Sequence, residues 1–172
     1  MASDLKKLSD VDFETLNEVS DFSVVIVRST YYQDITSNLY NGAASVLEAK
    51  AIKKENLHVL DVPGSYELVA GAVIAAEKFN PDCVICLGCV IKGETSHDDY
   101  INQAVATGLA NLTIKYKFPF IFGLLTTNTL KQAEARSGGD KGNKGTEAAI
   151  AAVQMLHCGL PPKRTHKAGF NR

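Results

Sequence analysis

A three-layer α/β sandwich around a four-stranded parallel sheet is the fold this sequence predicts. Short apolar runs rich in β-branched residues alternate along the chain with segments whose apolar residues recur at helical spacing. The links between them are short, which favours parallel strands joined by right-handed crossovers. One run, Cys83–Val90, has no polar alternation at all, so it belongs in a sheet covered on both faces. At 172 residues the chain is long enough for one full core.

The elements follow in order. Ser23–Val27 (SVVIV) is short, β-branched and apolar, as a buried strand is. Arg28–Gln33 is a polar loop with two aromatics. From Asp34 to about Ala51, Ile35, Leu39, Ala43, Val46 and Leu47 mark one face of a helix. Leu57–Val62 is the second strand. Pro63-Gly64-Ser65 turns the chain into an alanine-rich helix, Glu67–Phe79, which Asn80-Pro81-Asp82 breaks. Cys83–Val90 is the third, central strand, followed by a loop and a helix from about Asp99 to Tyr116. Pro119–Leu125 (PFIFGLL) is the fourth strand. Thr129 with Gln132 reads as a capping box for a short helix ending near Ser137. Ser137–Asn143 is a glycine-rich loop, and Lys144–His157 is a closing helix. The result is a flavodoxin-like αβα sandwich. Residues 23–158 form its single domain, residues 1–22 an N-terminal arm outside the core, and residues 159–172 a basic C-terminal tail without periodicity.

Composition narrows the function. A formal net charge of −1 offers no electrostatic case for nucleic acid or membrane partners. No apolar run reaches the length of a membrane span. The polar, acidic N-terminus has neither the apolar region of a secretory signal nor the Arg-rich, acid-poor bias of a transit peptide, so a cytoplasmic location is expected. Cys83, Cys86 and Cys89 are spaced as C-x-x-C-x-x-C, which invites a metal reading. On a strand, however, Cys83 and Cys89 point to one face and Cys86 to the other, so the three cannot converge on one ion. Buried, reduced thiols are the expectation.

In such sheets ligands sit outside the carboxyl ends of the strands. That selects the loops at 28–33, 63–67, 91–98 and 126–129. The third reads Ile91-Lys92-Gly93-Glu94-Thr95-Ser96-His97 and runs into a helix whose free N–H groups form a ready anion site. At that end a neutral His97 can accept a proton. The alternative is a histidine that only caps a helix. Arg136 and Lys144 flank the glycine-rich loop and could hold a phosphate, or be solvated surface charges. Tyr31 and Tyr32 follow the first strand, where an aromatic can stack on a planar heterocycle or simply be half-buried. No P-loop, no Gly-rich dinucleotide fingerprint and no nucleophile elbow is present.

Taken together, the motifs resemble the lumazine synthase family. Val62-Pro63-Gly64-Ser65-Tyr66-Glu67-Leu68 is similar to its P-G-[SA]-[FWY]-E-[LI] segment, and Ile91–His97 to its I-[RK]-G-x-T-x-H loop. Pro119–Thr127 resembles its P-V-I-F-G-[VL]-L-T strand. Gln132-Ala133 with Arg136, and Gly142–Gly145 with Glu147-Ala148-Ala149, resemble its last two helices. Val69 stands where the family usually has proline, and Tyr31 is the less usual aromatic at its position.

The resemblance implies an enzyme that condenses 5-amino-6-ribitylaminouracil with 3,4-dihydroxy-2-butanone 4-phosphate, without metal or organic cofactor. It implies that Tyr31 stacks on the pyrimidine and that Ser65, Tyr66 and Glu67 hold the ribityl chain. The backbone at Cys89, Val90 and Ile91 reads the pyrimidine edge. Gly93, Glu94 and Thr95 donate to phosphate, with Arg136 as its charge partner, and His97 shuttles protons. Phe122 enters from the adjacent subunit and Lys144 adds positive charge. Pentamers with sites between subunits are also implied. In the family's pentameric members this connection tends to carry an insertion, so the compact Ser137–Asn143 implies a sixty-subunit icosahedral shell, with the isolated pentamer as the alternative and riboflavin synthase as a candidate partner. Two rivals share the scaffold: an archaeal-type riboflavin synthase, and a cage or flavin-binding protein that has lost activity. The complete set of Glu67, Thr95, His97 and Arg136 argues against the second.

Overall fold

Burial of the β-branched runs builds a single sheet. The computed structural model describes residues 11–159 and 162–163. Four strands, β1 (Val24–Ser29), β2 (Leu57–Val62), β3 (Cys83–Ile91) and β4 (Phe120–Thr127), lie side by side in the order β2-β1-β3-β4. Every pairing among them is parallel. The helices are α1 (Gln33–Ala49), α2 (Leu68–Phe79), α3 (His97–Tyr116), the short α4 (Leu130–Ala135) and α5 (Lys144–His157). The arrangement is the flavodoxin-like three-layer sandwich.

Side-chain alternation divides the core in two. Ile26, Cys83, Ile85, Leu87 and Cys89 meet α1 and α5 on one face. Val25, Val27, Val84, Cys86 and Val90 meet α2 and α3 on the other. The cysteines thus point to the two faces as strand alternation requires. Burial pushes the thiols of Cys83 and Cys86 far up and that of Cys89 to about 11.

Helices α1 and α5 approach closely because glycine lies at the crossing. A Cβ on Gly145 would overlap the Leu39 carbonyl, and one on Gly42 would meet the Asn143 side chain. Asn143 caps α5 by accepting from the Gly145 and Thr146 N–H groups at 2.8 and 3.3 Å, while its Nδ2 donates to Asn38 O at 2.9 Å.

Three expectations change. The glycine-rich stretch after α4 is a small antiparallel ribbon, β5 (Ser137–Gly139) with β6 (Gly142–Asn143), in place of an open loop. Gly138 and Gly142 supply the positive φ angles its turn needs, 115° and 85°. Helix α3 begins at His97, two residues before the apolar pattern announces it, because its first turn, His97-Asp98-Asp99, is polar. The stretch read as an arm outside the core is part of the core from Leu16 onward. Leu16, Val19 and Phe22 recur every three residues and are buried against the α1–α5 side. Residues 1–10 lie outside the described residues, as do 160–161 and 164–172 of the basic tail. Within that tail, Lys163 is held at the amino end of the sheet. Its N–H donates to Asp82 Oδ1 at 2.9 Å and its ammonium donates to Pro81 O at 2.6 Å.

The capping box forms with one difference. Thr129 Oγ1 accepts from Gln132 N–H at 3.3 Å, and Gln132 Oε1 reaches back to Asn128 N–H at 2.8 Å instead of to the cap residue itself. Among the described residues, no helix is long and apolar enough to cross a membrane.

Candidate active site at the carboxyl end of the sheet

The strand order creates the site. From β1 the chain moves to β2 on one side, then crosses back to place β3 on the other. The carboxyl ends of β1 and β3 are therefore neighbours whose following loops diverge, and the opening between them is where ligands bind in such sheets.

The β1 ladder on β3 ends at Leu87, whereas the β4 ladder continues to Ile91. Cys89, Val90 and Ile91 thus have a paired neighbour on one side and the space above β1 on the other. The loop after β2 closes over this edge. Ser65 is buried there, and its hydroxyl donates to Cys89 O at 3.2 Å. The Glu67 carboxylate folds back over Gly64, where a Cβ would lie 2.8 Å from Oε2. Tyr66 is exposed beside it.

Tyr31 follows β1 and is 64% exposed. The ends of β1 and β2 are locked by a bidentate pair between register partners. Arg28 Nε and Nη2 donate to the two Asp61 carboxylate oxygens at 2.9 Å each. The loop Lys92–Ser96 is exposed, and His97 is the first residue of α3, with Ser96 at the cap. The remaining first-turn residues, Asp98 and Asp99, suit the positive end of the helix. Gly93, Glu94 and Thr95 precede that turn in a single exposed segment.

Phe122, Arg136 and Lys144 lie elsewhere. They share a cleft of about 1120 Å³ along the edge strand β4, which Lys92 and Asp98 also border. Phe122 is on the same face as Phe120 and Leu124, yet it is 38% exposed and lines the cleft. Arg136 ends α4 with its side chain exposed, and its carbonyl accepts from Lys144 N–H at 2.9 Å. The Lys144 ammonium donates to Glu147 Oε2 at 3.0 Å, so its charge is already paired. None of Tyr31, Ser65–Glu67, Cys89–Ile91, Gly93–Thr95 or His97 lines this cleft. One chain therefore presents Phe122, Arg136 and Lys144 in a cleft that Tyr31, Ser65–Glu67 and Cys89–Ile91 do not line, with Gly93–His97 between the Lys92 and Asp98 that border it.

Two residues take positions that the sequence motifs containing them do not specify. Lys92 adds a cation to the β4 cleft. Tyr32 adopts a left-handed backbone at the start of α1, which its residue type does not announce.

The fold is an αβα scaffold, and the opening between β1 and β3 is the place where sheets of this kind bind small molecules. A family model described as 6,7-dimethyl-8-ribityllumazine synthase matches residues 21–159. The 6,7-dimethyl-8-ribityllumazine synthase of Parabacteroides distasonis is 45% identical over 157 residues, covering 91% of this chain and 98% of that protein. That of Cytophaga hutchinsonii is 46% identical over 156 residues, with coverage of 91% and 98%. The Bacteroides fragilis protein is 47% identical over 131 residues, covering 76% and 92%. The chain belongs to the 6,7-dimethyl-8-ribityllumazine synthase family.

Proposed function

We propose that this chain condenses 5-amino-6-ribitylaminouracil with 3,4-dihydroxy-2-butanone 4-phosphate. The product is 6,7-dimethyl-8-ribityllumazine, with release of phosphate and water, as the penultimate step of riboflavin biosynthesis. The observation that carries the reading is the position of Ile91–His97: it leaves the end of β3 beside β1 and opens α3 with a histidine.

In this reading Tyr31 stacks on the pyrimidine, the backbone at Cys89, Val90 and Ile91 reads its edge, and Ser65, Tyr66 and Glu67 hold the ribityl chain. The N–H groups of Gly93, Glu94 and Thr95 face the phosphate. His97 takes and returns protons during imine formation and phosphate elimination. Joining two bound substrates in one orientation can supply on the order of 7–11 kcal/mol at best. A placed acid–base contributes about 10²–10⁴-fold, so His97 assists a reaction that orientation dominates.

The two sets of residues are united when a second copy brings its β4 edge against the carboxyl end of the first. Phe122, Arg136 and Lys144 of one chain then complete the site of its neighbour, Arg136 as the charge partner of the phosphate. Pentamers of this kind, packed into a sixty-subunit shell in the cytoplasm with riboflavin synthase as a partner, are the corresponding assembly. The domain comprises residues 23–158 together with the Leu16–Phe22 stretch that packs against its core. Mixing the purified protein with both substrates tests the chemistry: lumazine fluorescence should rise with phosphate release, and its absence under saturating substrate would remove the reading.

A further inference from the structure

Tyr32 sits at φ 54° and ψ 53°, in the left-handed region, with a full side chain. Glycine or asparagine reaches that region at little cost, whereas a bulky residue is strained there. Such strain persists only where surrounding structure over-determines it, and it concentrates at functional sites. Here the surroundings are specific. The Tyr32 carbonyl opens α1 by accepting the Thr36 N–H at 3.0 Å. On the other side, the Tyr31 N–H donates to the buried Ser29 Oγ at 3.2 Å.

The kinked backbone brings two neighbouring rings together. Tyr31 and Tyr32 meet edge to face, with centroids 4.8 Å apart and planes at 78°. No other aromatic ring contact to Tyr31 is present among the described residues. The ring of a residue as exposed as Tyr31 would otherwise rotate freely about both side-chain torsions. Loss of hydration, reinforced by the Tyr31 hydroxyl and the Cys89 thiol, holds the Tyr32 phenol above its ordinary pKa. The contact lies at the carboxyl end of β1, between that strand and the first turn of α1.

We propose that Tyr32 is a positioning residue for pyrimidine binding: its left-handed backbone and edge-on ring hold Tyr31 as a pre-aimed stacking platform. The inference rests on the reading of Tyr31 as that platform. Pre-aiming removes the rotational freedom that the substrate would otherwise have to freeze, so it acts on pyrimidine affinity and leaves the phosphorylated ketone alone.

The test is steady-state kinetics with each substrate varied in turn, for Tyr32→Phe, Tyr32→Gly, Tyr31→Ala and the Tyr31→Ala/Tyr32→Gly double variant. Tyr32→Gly relieves the backbone strain, so it should fold with an unchanged or higher melting temperature. Even so, its KM for the pyrimidine should rise roughly three- to tenfold, the worth of one edge-to-face contact. Its KM for butanone phosphate and its kcat should stay near wild type. Tyr32→Phe keeps the ring and should behave as wild type. In the Tyr31→Ala background the glycine substitution should add nothing further. If Tyr31→Ala raises the pyrimidine KM and Tyr32→Gly does not, the Tyr32 role is wrong while the Tyr31 reading survives. If Tyr31→Ala leaves that KM unchanged, both fall. A Tyr32→Gly effect on both substrates alike, or one that persists without Tyr31, overturns the proposal in favour of a general structural role.

Discussion

The Ser65 hydroxyl donates to the Cys89 carbonyl at 3.2 Å, tying the loop after β2 to the last turn of the central strand. The two are 24 positions apart in sequence, with α2 and most of β3 between them. A Cβ on Gly88 would lie 2.8 Å from Ser65 Oγ, so glycine next to Cys89 is what allows the approach. Ser65→Ala should cost about 1 kcal/mol, the usual worth of such a bond, and lower the melting temperature accordingly. The ribitylated substrate should also bind more weakly, because the loop carrying Tyr66 and Glu67 loses its anchor. Wild-type stability in Ser65→Ala would show that the loop is held by other contacts.

His97 occupies the first helical position of α3, exposed and beside the loop assigned to phosphate. His97→Ala should lower kcat by roughly 10–100-fold while leaving the dissociation constant of a ribitylated pyrimidine analogue nearly unchanged. An unchanged kcat would remove the acid–base role.

Arg136 is exposed in the β4 cleft. Arg136→Ala should weaken butanone phosphate far more than the pyrimidine, since only one substrate carries a phosphate. Lysine should rescue poorly, because the bidentate fork is lost. Equal weakening of both substrates would point to a folding defect. The Lys144 charge is shared with Glu147, so Lys144→Ala should cost less than Arg136→Ala.

The three core thiols make stability depend on alkaline pH. In the folded protein burial raises their pKa values, that of Cys89 to about 11 against an ordinary 9.0. The folded state therefore keeps protons that the unfolded chain gives up. This contribution is complete below pH 9 and is lost as pH climbs toward 11 and beyond. Denaturant midpoints should fall over that range, less steeply in Cys89→Ala. A thiol reagent at neutral pH should modify the exposed Cys158 and reach Cys83, Cys86 and Cys89 only after unfolding. Four reactive thiols in the native protein would contradict this.

Assembly is decided by sedimentation or light scattering of the native protein. The connection between α4 and α5 is a tight ribbon turning at Gly138 and Gly142, with no projecting insertion to block contact between the proposed pentamers. A megadalton particle is expected. A species of five chains alone would rule out the shell while leaving the site between neighbours intact.

Much of this protein was legible from local chemistry. The four apolar runs and the helical periodicities between them identified every strand of the parallel sheet, and Leu57–Val62 and Lys144–His157 have the very bounds the pattern assigns. Period-two alternation alone set Cys86 against Cys83 and Cys89. The motif at Ile91–His97 was visible because its residue types carry its chemistry. Other features depend on which segments become neighbours. Lateral strand order follows from the face each crossover takes, so the opening between β1 and β3 is absent from any local window. The division of the site into a β1–β3 set and a β4-edge set likewise arises because Phe122 and Arg136 belong to an edge strand and the helix after it, two strands away from Tyr31. Leu16, Val19 and Phe22 look like scattered apolar residues in a polar stretch until α1 and α5 offer a surface to cover. The left-handed backbone of Tyr32 is the clearest case. A tyrosine carries no local preference for positive φ, and only the packing of β1, α1 and the Tyr31 ring around it holds it there.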